Sequence, residues 1–298
     1  MDIVIEKLNY LKETKAEILD AMHDVGIYML DEETFDKFPE GITEMVEYQE
    51  PYPIARGLTL WFDAHYNTSA TGGSNSATTW KPLIANNANT TATKVGTCSF
   101  IQDPDLVLNG QAIRCLQTSA GGFYHAHNIG TSGPVTIEAV FKINEYPTGT
   151  STVLVAGTLE QGGTSISYDN QQLVATTWDA DYAINGVSNE GWLYSTGRRS
   201  NIRVPKLGEL IYVCLTANTE KTTLTTSKGQ YWECPCRMTG FNNTPFAVGY
   251  NPPKTGSTQS ASDMLAKMNL YETRLYNRVL SKEEIEHNIR YVKTKYNF

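Results

Sequence analysis

The sequence lacks the features of an exported or membrane-spanning chain. Residues 1–7 have neither the basic start nor the apolar core of a signal peptide, and no apolar run approaches the roughly 20 residues that span a bilayer. Cysteines number five, an odd count that argues against a complete disulfide framework. These absences predict a chain made in the cytoplasm, without membrane insertion, whose cysteines are reduced and mostly buried.

Basic residues are scarce and scattered. Lys and Arg number 24 against 32 Asp and Glu, which gives a formal net charge of −8. Arg198, Arg199 and Arg203 form a single local cluster, which we expect to be a solvated loop. Because phosphate binding draws on clustered Lys and Arg, no nucleic-acid partner is expected.

Strand and turn chemistry is abundant, most clearly near the C-terminus. Residues 270–276 alternate and predict a strand with one dry and one solvated face. The dry face is expected to carry Tyr271, Thr273 and Leu275, and the solvated face Glu272 and Arg274. Turn signals at the short spacing of an antiparallel sandwich recur along the chain, among them Asp103-Pro104 and Asn109-Gly110.

A helix is predicted to follow this strand. Ser281 and Glu284, three residues apart, form a capping box at its start. Apolar residues recur at helical spacing at Ile285, Ile289 and Val292. Lys293 and Lys295 fall in the last turn, where cations favour the negative end of the helix dipole.

The order of residues 274–285 resembles the closing strand and helix of laminin G-like modules in the concanavalin A-like superfamily. Residues 57–64, which include Asp63, resemble that family's opening strand, Trp80 its downstream tryptophan, and residues 135–143 its central strand. The resemblance implies a mainly β fold: an antiparallel jelly-roll β-sandwich with an N-terminal helical module and a C-terminal helix. It identifies no ligand.

The N-terminal region predicts an oligomerising helix. Its apolar residues follow heptad a and d spacing, with Lys15 on the same seam and Gly26 as a stop. The seam residues are Val4, Leu8, Leu11, Ile18, Met22 and Val25. We expect self-association, as a homotrimer; the alternative is a single amphipathic helix that packs on the sandwich. Residues 50–53, with two prolines, read as a stiff linker, which divides the chain into a module (1–50), a linker (51–56) and a sandwich (57–298).

Residues 8–15 and 31–42 resemble the small N-terminal module of many tailed-bacteriophage virion proteins, which serves assembly or attachment. Combined with a laminin G-like module without an export signal, this implies a virion structural protein: a fibre, spike or capsid-decorating component. Its expected location is the virion. Its expected partners are other virion proteins and a host-surface glycan bound by an adhesion domain.

Catalytic motifs are missing. Hydrolases built on this sandwich carry Glu-x-Asp-x-x-Glu on one strand, which holds two carboxylates ~5 Å apart. Here Glu138 is followed by Val140 where the aspartate would stand, and no second glutamate follows in the strand. Neither a Gly-x-Ser-x-Gly elbow nor a His-Glu-x-x-His helix occurs. We therefore predict no enzyme and no catalytic residue. The alternatives are a glycan-active hydrolase or lyase of the superfamily and a protein-interaction module without carbohydrate ligands.

Aromatic, amide and carboxylate residues concentrate between positions 178 and 194. Exposed aromatic rings stack on sugar faces while neighbouring polar groups bond the hydroxyls. The predicted carbohydrate-binding residues are Trp178, Asp179, Asp181, Tyr182 and Tyr194. The alternative places Trp178 and Trp192 in the core. No cofactor is expected. Asp179, Asp181 and Asn185 offer oxygen ligands that could bind calcium, but their spacing matches no specific calcium loop.

Two short pairs of potential metal ligands stand apart in the sequence. His125 with His127, and Cys234 with Cys236, would each share a face of an extended segment. Together they could hold zinc, or three copies of the histidine pair could surround one metal on a threefold axis. The favoured interpretation is that the two pairs are unconnected, so no metal ligand is assigned.

Overall fold

The computed structural model describes residues 52–66, 77–85, 91–125, 133–156, 163–169, 172–177, 198–234, 246–251 and 265–298. They contain one helix, α1 (Lys282–Tyr296), and fifteen strands. The strands are β1 (Leu58–Asp63), β2 (Thr79–Trp80), β3 (Ile84–Ala85), β4 (Ala92–Leu108), β5 (Gln111–His125), β6 (Val135–Ile143), β7 (Ser151–Ala156), β8 (Thr164–Tyr168), β9 (Gln172–Thr177), β10 (Arg198–Arg203), β11 (Leu210–Ala217), β12 (Thr222–Thr226), β13 (Tyr231–Cys234), β14 (Phe246–Val248) and β15 (Met268–Tyr276).

The strands pair antiparallel in the order β10-β9-β8-β7-β14-β5-β15-β6-β11-β12-β13. Strand β5 belongs to both halves of this sheet: its first part pairs with β15 and its last part with β14. The two halves pack face to face over an apolar core that includes Phe62, Phe141 and Leu154. This arrangement, with α1 at the C-terminus, confirms the predicted mainly β sandwich of jelly-roll type.

Trp80 lies in this core next to the first strand. It is fully buried, packs on Phe62 at a ring-centroid distance of 4.9 Å, and donates from Nε1 to the Asp63 carbonyl at 3.4 Å. The hydrogen bond satisfies the indole N–H in a place that water does not reach. The tryptophan and the aspartate, singled out in the sequence 17 residues apart, are thus in direct contact.

Glycine is required where β5 passes from one half of the sheet to the other. A Cβ atom on Gly122 would lie 1.7 Å from the Val248 carbonyl oxygen, so any larger residue would push the two strands apart.

In the hairpin between β4 and β5, Asn109 and Gly110 both have positive φ, 52° and 77°. This confirms the predicted Asn-Gly turn between β4 and β5.

The structure corrects the predicted turn at Asp103-Pro104. Both residues lie within β4, where the register to β5 shifts between Asp103 and Val107. A strand that carries such an irregularity tolerates a proline, because the ladder hydrogen bond is already lost at that point.

The predicted C-terminal strand is confirmed as β15, but its second face is not solvated. Glu272 and Arg274 are fully buried, because α1 covers the face from which they project. Tyr271 is also on that face, among the residues packed against α1. A register irregularity between Leu270 and Glu272 breaks the alternation there.

Helix α1 begins as predicted. Ser281 accepts from the Glu284 amide while the Glu284 side chain accepts from the Ser281 amide, which completes the capping box. Ile285 and Val292 are buried against the sheet. Among the described residues, no helix has the length and apolarity needed to cross a bilayer.

The residues just before β1 contact α1. The Ile54 amide donates to Asn288 Oδ1 at 2.8 Å, and the Tyr52 carbonyl lies 2.6 Å from His287 Nε2. Residues 1–51 lie outside the described part, and with them the oligomerisation residues Val4, Leu8, Leu11, Ile18, Met22 and Val25. The division at residues 50 and 56 therefore stays a prediction.

Candidate functional site

Charged side chains gather under α1, on the outer face of β1, β6 and β15. We call this group the helix–sheet cluster. Its members are at most 2% exposed, and they come from positions as far apart as the first strand and the last helical turn. They are Asp63, Glu138, Glu272, Arg274 and Lys295.

Lys295 occupies the centre of one half of the cluster. Its Nζ donates to Asp63 Oδ2, to Glu272 Oε2 at 2.9 Å and to the Tyr291 hydroxyl at 3.0 Å. An ammonium group has three N–H donors, and here each has an acceptor. The expectation that Lys295 serves the helix dipole therefore misses its main role, which is to pair two buried carboxylates.

Arg274 occupies the other half. Its Nε lies 2.7 Å from Glu138 Oε2 and its NH1 lies 3.3 Å from Glu272 Oε1. These are ion-pair distances without hydrogen-bond geometry. The guanidinium also lies 5.2 Å from the ring centroid of Tyr291, a cation–π contact that adds stability where water is excluded.

Glu138 joins the cluster to α1 and to the segment before β1. Its Oε1 accepts from the Tyr212 hydroxyl at 2.5 Å and from Asn288 Nδ2 at 2.9 Å. The Asn288 oxygen in turn accepts the Ile54 amide. One asparagine therefore connects the central strand, the last helix and the entering chain.

The pKa values of the two carboxyl groups around Lys295 shift in opposite directions. Burial raises the pKa of Asp63 above its ordinary value, and Lys295 only partly opposes this. Burial acts in the same direction on Glu272, but Arg274 and Lys295 outweigh it and hold the pKa of that carboxyl below its ordinary value.

A smaller ionic group lies beside the cluster. Asp103 Oδ2 accepts from Lys142 Nζ at 2.6 Å and from the Tyr271 hydroxyl. Burial alone would raise the pKa of Asp103, but these two hydrogen bonds and the one from the Asp105 amide lower it overall. These contacts give Asp103 a structural role in the sheet.

The helix–sheet cluster is closed to substrates. Glu138 is the carboxylate that a hydrolase of this fold would place on its central strand, and it is fully buried among partners of the same chain. Its side chain cannot reach a glycosidic bond from there. The cluster instead fixes α1 on the sheet.

The predicted carbohydrate-binding residues lie outside the described residues, but the strands that flank them are described. Strand β9 ends at Thr177 and β10 begins at Arg198. The two strands pair antiparallel, with Arg198 opposite Ala175. Thr177 and Arg198 therefore lie at the same end of the sheet. They flank residues 178–197, and with them Trp178, Asp179, Asp181, Tyr182 and Tyr194.

The metal-ligand pairs remain half described. His125 ends β5 beside Phe246, and Cys234 ends β13 beside Thr222; β5 and β13 are not neighbours in the sheet. His127 and Cys236 lie outside the described residues. Within the part of the chain that the structure covers, no three His, Cys, Asp or Glu side chains form a group suited to a metal.

The described cysteines are free and buried, as predicted. They are Cys98, Cys115, Cys214 and Cys234. Burial raises the pKa of the Cys98 thiol to about 11 and that of Cys115 to about 12, so both stay protonated and unreactive at neutral pH.

The sequence did not reveal the helix–sheet cluster. Lys295 and Asp63 are separated by 232 positions, and local patterns carry no information over such a distance. The available signal is the pair Glu272 and Arg274, inside a strand that carries no other charge. By its alternation alone, this pair predicts a solvated face.

The fold is shared with solved structures of carbohydrate-related proteins. Domain 4 of a GH43 extracellular arabinanase from Geobacillus stearothermophilus, in complex with arabinotriose, matches with a TM-score of 0.52 and 13% identity, over 79% of this chain and 100% of that chain. A Trypanosoma rangeli sialidase mutant displaying trans-sialidase activity matches with a TM-score of 0.50 and 17% identity, over 80% of this chain but only 33% of the sialidase. No protein-family model and no curated protein sequence matches this chain.

These comparisons correct one expectation and leave others open. The prediction that the chain is not an enzyme is wrong, because its fold occurs in sialidases and in an arabinanase. The missing Glu-x-Asp-x-x-Glu strand therefore does not exclude an enzymatic role. The virion and laminin G-like assignments gain nothing from these structures and stay predictions.

Proposed function

We propose that this chain is a glycan-recognition β-sandwich of a glycan-active protein. The observation that carries the proposal is the antiparallel pairing of β9 with β10, Arg198 opposite Ala175. It brings Thr177 and Arg198, the residues that flank 178–197, to the same end of the sheet. Binding residues commonly lie on loops that a rigid scaffold positions.

The chemistry of that segment supports the proposal. Trp178, Tyr182 and Tyr194 supply aromatic faces, and Asp179 and Asp181 supply acceptors for sugar hydroxyls. The structural match to an arabinanase domain in complex with arabinotriose makes arabino-oligosaccharides a reasonable first probe. Calcium bound through Asp179 and Asp181 belongs to the same proposal.

The experiment is a glycan array probed with the full chain, including arabinotriose and sialylated glycans, with and without calcium. We expect weak binding per site that increases when several copies are displayed, and its loss in Trp178→Ala and Tyr182→Ala. Tyr231→Ala is the matched control, because Tyr231 is a 53% exposed tyrosine on edge strand β13. If Trp178→Ala and Tyr182→Ala both retain binding, the site lies elsewhere. If the chain binds no glycan, the proposal is contradicted.

A catalytic role is the second candidate, because the solved structures with this fold include sialidases and an arabinanase domain. It is tested by incubating the full chain with arabinan and with sialosides and measuring released sugar. Sugar release that co-purifies with the protein, and that disappears when a carboxylate residue is replaced by its amide, would establish a catalytic role.

The biological setting is a further part of the proposal. The N-terminal resemblance supports a homotrimer attached to a tailed-phage particle, with residues 1–50 as the attachment module. Electron microscopy of purified particles, with antibody against the sandwich, tests this location directly.

A further inference from the structure

A second surface of the sandwich has the composition of a glycan site. It lies where β6 ends and β15 begins, and we call it the 144–269 patch. Its side chains are exposed or half-buried and carry one aromatic ring, two amides and one ion pair. They are Asn144, Glu145, Tyr146, Lys267 and Asn269.

The backbone beneath the patch is tied in two places. The Asn144 amide donates to the Lys267 carbonyl at 2.9 Å, and the Gly208 amide donates to the Ile143 carbonyl at 2.9 Å. The ends of two neighbouring strands and the turn before β11 are thereby joined. A ligand that binds here would not have to order a loose loop, which lowers the cost of binding.

Tyr146 provides an exposed ring whose position is fixed. The residue is 39% exposed, yet its hydroxyl donates to the Pro205 carbonyl at 3.1 Å. Tyrosine loses little conformational entropy on binding, and here one hydrogen bond already restrains it. The ring is therefore suited to packing against the apolar face of a sugar.

Asn144 and Asn269 provide the hydrogen-bonding groups of the patch. Asn144 Nδ2 donates to Asn269 Oδ1 at 2.8 Å, which orients both carboxamides. A carboxamide has two N–H donors and an acceptor oxygen, so this contact leaves Asn144 with one donor and one acceptor for a ligand. Sugar hydroxyls, which both donate and accept, match that pair.

The charges of the patch are balanced. Lys267 Nζ contacts both carboxylate oxygens of Glu145 at 2.8 Å, and the two side chains are 49% and 59% exposed. The pair adds no net charge next to Tyr146. Nothing in the patch therefore favours an anionic ligand over a neutral one.

The patch lies near one end of β9. At that end Gln172 pairs with Arg203, two residues before Pro205, whose carbonyl accepts from the Tyr146 hydroxyl. Residues 178–197 follow Thr177, at the other end of β9.

We propose that the 144–269 patch is a second glycan site, which takes a neutral oligosaccharide through Tyr146, Asn144 and Asn269. The inference rests on the proposed glycan-binding function and adds a site and a substrate class to it. Two sites on one chain would raise the avidity for a surface that displays many glycan chains.

The test is calorimetric titration of the full chain with the neutral oligosaccharides that score on the array. Tyr146→Ala should weaken binding of at least one of them by about tenfold, the scale expected for the loss of an aromatic contact. Tyr146→Phe should keep most of the affinity, and Asn144→Ala should lower it. Tyr231→Ala is again the matched control, and melting temperatures verify that the variants fold.

The outcomes separate this inference from the proposed function. If Trp178→Ala abolishes the binding of every glycan while Tyr146→Ala and Asn144→Ala leave it unchanged, the 144–269 patch is not a glycan site. The proposed function then still stands. A patch that prefers acidic glycans overturns the proposed substrate class. No binding to any glycan overturns both proposals. If Tyr146→Ala unfolds, the Asn144→Ala result decides.

Discussion

Asn288 Nδ2 donates a 2.9 Å hydrogen bond to Glu138 Oε1 in a region that solvent does not reach. The contact joins the last helix to the central strand across 150 positions of sequence. The Asn288 oxygen accepts the Ile54 amide, so the same side chain also holds the chain as it enters the sandwich. Stability and the path of the N-terminal segment are thus coupled at one residue.

Removing the ammonium of Lys295 should strongly destabilise the sandwich. Lys295→Met leaves the buried Asp63 and Glu272 carboxylates without their shared cation, and breaking such a pair costs about 3–5 kcal/mol. Urea unfolding at pH 7 measures the loss. Lys293→Met, two residues earlier and exposed, should change stability by less than about 0.5 kcal/mol. Equal stability of the two variants would show that the cluster is not needed for folding.

Asn288→Ala should loosen the entering segment as well as the helix. It removes one of the two hydrogen bonds that Glu138 Oε1 accepts and leaves the Ile54 amide without its acceptor, which we expect to cost about 1–3 kcal/mol. Amide hydrogen exchange should accelerate at Ile54. Glu286→Ala, on the exposed side of the same helix, is the control. Unchanged exchange at Ile54 in Asn288→Ala would contradict the coupling.

Stability should fall with acid partly through Asp103. Its pKa is lowered in the folded state relative to the unfolded value of about 3.9. Its contribution is therefore complete above that unfolded value and is lost as the pH falls through the folded one. The wild type should have a larger free energy of unfolding than Asp103→Asn, and this difference should shrink as the pH falls below 5.

Urea unfolding at several pH values measures this gap. Asp105→Asn, exposed and two residues later, keeps its amide hydrogen bond to Asp103 and serves as the control. A gap for Asp103→Asn that stays constant over the whole acid range would rule out the assigned role.

Two truncations should separate the N-terminal module from the sandwich. Deletion of residues 1–50 retains Tyr52 and Ile54, which contact α1, so the remainder should fold with nearly full stability. Deletion of residues 1–56 also removes those contacts and should lower the melting temperature. Light scattering should show a trimer for the full chain and a smaller species for both truncations. A trimer that survives deletion of residues 1–50 would exclude the seam from Val4 to Val25 as the assembly element.

Local chemistry made part of this fold predictable. The capping box of Ser281 and Glu284 and the turn at Asn109-Gly110 need only neighbouring residues, and both are confirmed. The strand at residues 270–276 was also predictable, because its alternation reflects a backbone period of two.

Longer-range features were not predictable from the sequence. The strand pattern showed that Glu272 and Arg274 share a face but not that α1 covers it. Their burial depends on Lys295 and Glu138, which meet them only after folding. The register irregularity between Leu270 and Glu272 turns Tyr271 to the face that α1 covers. Nothing in the local sequence indicates this change. The 144–269 patch has the same origin, because Asn144 and Asn269 meet where β6 and β15 pair.

The central claim, that the sandwich recognises glycans through residues 178–197, is tested most directly by amide hydrogen exchange with and without a saturating oligosaccharide from the array. We predict slower exchange in residues 178–197 upon binding, and no change in the residues of the helix–sheet cluster, which are at most 2% exposed. Trp178→Ala should abolish the protection of this segment. Bound glycan that leaves exchange in residues 178–197 unchanged would contradict the account.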